Sequence, residues 1–205
     1  MGLFSIFKSN APAYSDKVWK MKEYALKGLM TDALLCLKND VQPVLSAFFS
    51  DGIDRVKSFL ENHQVPYQLV SSSGVSGENT IRVLPHDVWR AGGPSFTNSS
   101  RPVRLLMLGH YPLPEKEKIM LQRISKSADF SITFYSSLED PVLKPFNAER
   151  IIDLMTKMGM KDEEAIEHGM VTRSMERARE KIQSQVKMER EAQSEDEWFS
   201  KNLPS

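Results

Sequence analysis

The sequence predicts an α/β domain with a mostly parallel sheet of about five strands, helices on both faces and a C-terminal helical extension. The run Pro43–Phe49 is almost continuously apolar and of strand length, as a strand covered on both faces requires. Asp51-Gly52 then leads into a helical pattern on Ile53, Val56, Phe59 and Leu60, followed by a second strand-like run at Pro66–Val70. That order is a βαβ unit, whose crossover is right-handed. With 205 residues the chain can bury one sizeable domain and carry an appendage.

The elements before this unit are an arm and a long helix. Leu3, Phe4, Ile6 and Phe7 ahead of Lys8 offer at most weak peripheral contact with a membrane, and residues 1–15 read as an N-terminal arm. Ser15 stands as an N-cap with Asp16 in the first turn, and Val18, Met21, Ala25, Leu29, Ala33 and Cys36 follow at helical spacing. Leu26, Met30, Leu34 and Leu37 widen that stripe, which predicts a helix over 16–38 with Cys36 as a small core residue.

After the βαβ unit, Ser71–Asn79 is a Gly/Ser loop that no Lys-Ser or Lys-Thr pair follows, so it reads as a connector and not as a phosphate loop. Strands are expected at Thr80–Leu84, Arg104–Gly109 and Phe130–Tyr135, with a helix at Glu115–Ser127. His86, Asp87, Arg90 and His110 are polar groups at expected C-terminal strand ends, where open α/β sheets keep their ligands, and are the weak candidates for a ligand site. A helix carrying Ala148, Ile151, Ile152, Met155 and Met158 stops at Gly159. The last helix begins near Thr172, with Val171, Met175, Ala178, Ile182 and Val186 on one side and Arg173, Arg177, Arg179 and Lys181 in its basic first half. The end, Ser194–Ser200, is acidic with Trp198 and Phe199, a solvated tail or a docking motif.

Composition narrows the function. Lys plus Arg and Asp plus Glu are each 27, which leaves no net charge to hold a phosphate backbone and argues against a nucleic-acid partner. One cysteine cannot form an internal disulfide, and the 4 histidines show no metal-ligand spacing, so no metal and no cofactor are expected. No apolar run has the length of a membrane span and no signal peptide precedes the domain, which points to the cytoplasm.

One stretch carries a specific resemblance. Phe134-Tyr135, Ser137-Leu138-Glu139-Asp140, Phe146, Glu149-Arg150-Ile151, Met158-Gly159-Met160, Ile166-Glu167-His168, Met170-Val171-Thr172 and Ser174-Met175-Glu176-Arg177-Ala178 fall in one register. Residues 131–182 thereby resemble the SecA preprotein translocase ATPase family, where its second motor domain ends and its scaffold helix begins. Gln42-Pro43-Val44-Leu45 echoes a strand of that domain. The resemblance implies a RecA/helicase-like sheet and a division into an arm (1–15), a motor-like domain (16–160), a scaffold-like helix (161–192) and an acidic aromatic tail (193–205). It also shows departures. Leu84–Gly93 replaces the family's nucleotide-holding segment, and of its arginine-rich segment only Arg123 and Lys126 remain. The function implied is a non-catalytic accessory of protein export, bound to SecA or another export component through Arg173, Arg177, Trp198 and Phe199. The other reading is a nucleotide-binding subunit that borrows its first motor domain from another chain.

Overall fold

The computed structural model describes residues 14–70, 80–97, 99–124, 126, 129–143, 148–157, 159–167 and 169–203. Leu3, Phe4, Ile6 and Phe7 and the loop 71–79 lie outside them. The strands are β1 (Tyr14–Trp19), β2 (Gln42–Ser46), β3 (Tyr67–Leu69), β4 (Ile81–Leu84), β5 (Val103–Leu108) and β6 (Phe130–Ser137). They form one 6-stranded sheet in the order β1-β6-β5-β2-β4-β3, and every neighbouring pair is parallel. All residues of β2 and β4 are buried, and both strands are largely apolar, with Gln42, Ser46 and Arg82 as their buried polar members.

Helices cover both faces. Successive strand residues point to opposite sides, so Val44, Leu105 and Phe134 enter one core while Leu45, Leu106 and Tyr135 enter the other. On the second face lie α1 (Lys22–Lys38), with Leu29 and Ala33, and α2 (Ser50–Asn62), with Ile53, Val56 and Leu60. The first face is covered by α3 (Pro114–Gln122), with Met120 and Leu121, by α5 (Gly169–Gln185), with Met175, Ala178 and Ile182, and by α6 (Glu195–Asn202), with Trp198. Ile152 and Met155 of α4 (Ala148–Lys157) pack against that same core.

The N-terminal expectation is overturned. Tyr14–Trp19 is a strand, and the helix expected over 16–38 begins at Lys22. Local spacing loses to a distant partner: β1 pairs with β6 in a six-residue register from Tyr14↔Ile132 to Trp19↔Ser137. Ser15 therefore caps nothing, and its hydroxyl meets that of Thr133 at 3.0 Å. The N-terminus of α1 is served instead by Glu139, whose Oε2 accepts from the Lys22 amide at 2.8 Å. Gly28 is required on α1 because a Cβ there would stand 2.2 Å from the Trp19 ring. Leu34 is exposed rather than part of the stripe, and Cys36 is half-buried rather than in the core. The helix expected over Glu115–Ser127 ends at Gln122.

The SecA-like residues have identifiable structural work. Asp140 closes the turn after β6 by accepting from the Ser137 amide and hydroxyl, both at 2.9 Å. Gly159, at φ +83°, ends α4 in a Schellman motif, with Gly159 N–H on Thr156 O at 3.0 Å and Met160 N–H on Met155 O at 3.1 Å. Buried Lys20 reaches the same turn, donating to Met160 O at 2.6 Å and pairing with Asp162 at 2.7 Å. Ile166 then forms an antiparallel bridge with Val18, which covers the outer edge of β1.

The C-terminal part does not project from the domain. Met175, Ala178 and Ile182 of α5 are each 2% exposed within the core, and the expected tail folds as α6 with Trp198 fully buried. Between Ile166 and Leu203, Val171, Met175, Ala178, Ile182 and Trp198 are among the apolar residues that pack in or against the core of the sheet.

Candidate functional site

The crossovers define one crevice. From β1 through α1 and from β2 through α2 the chain moves toward β3 along one face, whereas from β5 through α3 it moves toward β1 along the other. The direction changes between β2 and β5, so the C-terminal ends of these strands bound the place where open α/β sheets take ligands. Phe48, Phe49 and the first turn of α2 form one wall, and Gly109, His110 and the Ser137–Asp140 turn form the other. Between them remains a cavity of ≈ 40 Å³. That volume admits a few waters, whereas small-molecule sites run from roughly 300 Å³ upward.

The chain itself fills the crevice. After α5, residues 186–194 run without helix across the C-terminal edge of the sheet as a strap that leads into α6. The Glu189 carboxylate accepts from the Tyr111 hydroxyl, from Lys116 at 2.6 Å and from the Trp198 indole N–H at 2.8 Å. Glu191 pairs with Arg90 at 3.3 Å. The Gln193 carbonyl accepts from the Ser50 hydroxyl at 3.0 Å and the Asp51 amide at 3.2 Å, so it occupies the donor end of α2 that would otherwise attract an anion. Ser194 caps α6 by accepting from the Glu197 amide at 3.0 Å, and Glu195 borders the cavity itself. Burial raises the carboxyl pKa values of Asp51, Asp140 and Glu195, Glu195 most strongly, with the Asp140 charge adding to it.

Behind the crevice lies a buried ionic network. His110, at the end of β5, offers Nε2 to Asp16 Oδ1 at 2.9 Å and Nδ1 to Glu117 Oε2 at 3.0 Å. Glu117 on α3 also accepts from Arg179 of α5 at 2.8 Å and from the Tyr111 amide at 2.8 Å. Arg179 donates as well to Tyr111 O at 3.2 Å. Carboxylates at both ring nitrogens favour the imidazolium. Burial opposes its charge, yet Glu117 and Asp16 outweigh burial and the repulsion of Arg179, and the His110 pKa is raised. Burial likewise pushes Glu117 and Asp16 upward, but His110 and Arg179 hold both below their ordinary values. The network joins β1, the β5 end, α3 and α5, and its groups are already paired with one another.

The sequence-predicted residues separate into different places. His86, half-buried in a 3-10 turn at His86–Trp89, and exposed Arg90 border a second cleft of ≈ 80 Å³ with Tyr111 and Lys116, roofed by Glu191 and Ala192. Asp87 is exposed, and His110 belongs to the interior network. The four candidates therefore do not converge. Arg173 and Arg177 are exposed on α5. Trp198 is buried and unavailable as an anchor for a partner, while Phe199 is half-buried against it, with ring centroids 5.2 Å apart. The residues that sequence reading passed over are Asp16, Glu117, Arg179, Glu189 and Glu195. Helical spacing signals two of them, since Arg179 falls on the Met175, Ala178 and Ile182 face and Glu117 on the Met120 and Leu121 face. Among the described residues, no group of three or more His, Cys, Asp or Glu is arranged to hold a metal ion, and no helix is long and apolar enough to cross a membrane.

No family model matches the chain. The protein translocase subunit SecA of Desulfotalea psychrophila is 45% identical over 185 residues, covering 83% of this chain and 22% of that protein. The chain is related to SecA. The SecA of Azoarcus sp. is 53% identical over 53 residues, 26% of this chain and 6% of that protein. The SecA of Christiangramia forsetii is 28% identical over 192 residues, 82% of this chain and 16% of that protein. The chain thus spans between 6% and 22% of the length of these SecA relatives. Among solved structures, the C-terminal part of the Fun30 ATPase domain matches at a TM-score of 0.40 and 12% identity, over 80% of this chain and 54% of that one, a likeness too low to bear on fold or function.

Proposed function

We infer that this SecA-related chain serves protein translocation by binding a protein partner and performs no nucleotide chemistry in its own crevice. The observation that carries the reading is the occupancy of the crevice. The Gln193 carbonyl sits on the donors of Ser50 and Asp51, and Glu195 lies beside the cavity with Asp140 and Asp51. Phosphoryl transfer needs donors and cations aimed at the developing charge, and this crevice presents carboxyl groups where the polyphosphate would lie. Lys22, Arg55 and His110 also border it, but both ring nitrogens of His110 are committed to Asp16 and Glu117.

The partner surface in this reading is the outward side of α5. Met175, Ala178 and Ile182 anchor the helix to the core and leave Arg173 and Arg177 exposed, which suits an acidic face on SecA or another export component. Isothermal titration with magnesium-ATP is expected to show no micromolar binding, and capture of purified SecA is expected to weaken in an Arg173→Glu/Arg177→Glu variant. Micromolar ATP binding by the purified chain would overturn the first half of the reading. SecA capture indifferent to the charge reversal would remove α5 as the contact.

A further inference from the structure

We propose that residues 186–203 form a proton-gated latch over the C-terminal edge of the sheet, closed while Glu195 carries a proton beside Asp140 and opening as that proton is lost. The geometry is that of like charges brought together in a confined site. Glu195, the first residue of α6, borders the same ≈ 40 Å³ cavity as Asp140 and Asp51. Both oxygens of Asp140 are already engaged by Ser137. The charged groups facing Glu195 are Lys22 from α1, Asp51 and Arg55 from α2, Asp140 from the turn after β6 and Asp196 from α6 itself. His110 borders the cavity from β5, with both ring nitrogens committed to Asp16 and Glu117.

The remaining pins of the segment do not share this sensitivity. The Gln193 carbonyl bonds, the Trp198 side chain and the Ser194 cap carry no titrating proton. Burial works to raise Glu189, but Lys116, Tyr111 and Trp198 hold it below the usual carboxylate value, so it stays ionised as pH rises from mildly acidic values. Docked Glu195, in contrast, keeps its proton to higher pH than the same carboxyl in water, because burial and Asp140 both oppose its charge. Between those two values the closed state binds more protons than the open state, so raising the pH favours opening. Opening bares the first turn of α2 and the slot now filled by Trp198.

Hydrogen exchange read by mass spectrometry on the full chain, corrected for intrinsic exchange, tests this between about pH 5.5 and about pH 8.5. The opening equilibrium of peptides covering 186–203 is expected to rise by about tenfold across that range, while peptides from β5 and β6 stay unchanged. Glu195→Gln, which keeps shape and removes the charge, is expected to hold the segment closed throughout, and Asp51→Asn to move the transition only slightly. A segment whose exchange is independent of pH in the unmodified chain would overturn the latch. So would an equal pH response in Glu195→Gln, or a rise spread evenly over the whole chain, which would be global unfolding.

Discussion

Replacing Arg179 with Met removes one charge from the buried network while keeping a long side chain in its place. Arg179 is 1% exposed and donates to Glu117 at 2.8 Å and to Tyr111 O at 3.2 Å. In the variant Glu117 keeps His110 and the Tyr111 amide but loses its guanidinium, in a site that water does not reach. Removing one partner of a buried ion pair costs about 3–5 kcal/mol, because the surviving charge stays desolvated. For a chain of this size each kcal/mol lowers Tm by about 2–4 °C, so the expected fall is about 6–20 °C. Urea unfolding followed by far-UV circular dichroism near neutral pH gives the free energy directly, and calorimetry gives Tm. Adding Glu117→Gln to the Arg179→Met chain should recover at least about 1 kcal/mol, since it removes the charge that the first substitution stranded. A loss below about 1 kcal/mol for the single variant, or strict additivity in the pair, would refute the network as drawn.

Three other outcomes follow from the same coordinates. The raised His110 pKa contributes stability that is complete below the ordinary histidine value and is lost as pH rises through the folded-state value, so the unfolding free energy should fall above neutrality; His110→Gln should flatten that fall in urea titrations at a series of pH values. Trp198→Ala removes a fully buried indole together with its bond to Glu189, and should cost about 3–5 kcal/mol in equilibrium unfolding; by the same logic, deleting residues 194–205 should destabilise the domain. Met175→Asp places an unpaired carboxylate in the core and should cost several kcal/mol, roughly, with an unchanged Tm indicating that α5 does not pack as described.

What could be read from the sequence follows the range of the interactions. The strands β2, β4, β5 and β6 were legible because most of each is buried and apolar, β3 because it follows α2 as a short run within Pro66–Val70, and the stop at Gly159 because a Schellman turn is a local device. β1 was not legible. In Tyr14–Trp19 the apolar residues fit helical spacing with those of α1, and only pairing with Ile132–Ser137 makes the segment a strand. Its buried acid, Asp16, looked like a first-turn acid behind a Ser15 cap because the imidazole that binds it is 94 residues away. The tail contained a local sign: Ser194 and Glu197 have the spacing of a capping box, and Ser194 does cap α6. Its acidity suggested a solvated end, but Glu195 and Glu197 face the chain's own groups. The candidate site was half legible, since strand ends were the right neighbourhood for His110, whereas Glu117 and Arg179 arrive from helices, and Glu189 from the irregular strap, placed by the rest of the fold.

The position of β1 bears on how a ribosome delivers this molecule. Tyr14 pairs with Ile132, and Ser15 and Thr133 are 118 residues apart in the chain. At about 5–20 residues per second, β1 waits roughly 6–24 s before its neighbour has been synthesised. Throughout that interval Val18 and Trp19, later buried on opposite faces of the sheet, lack their β6 neighbours, and of the two only Trp19 has α1 to lie against. The covering segment around Ile166 emerges later still. Of the described strands β1 is the first in chain order and among the last to be enclosed, and its wait is the interval in which nascent chains would adhere to one another or to a chaperone.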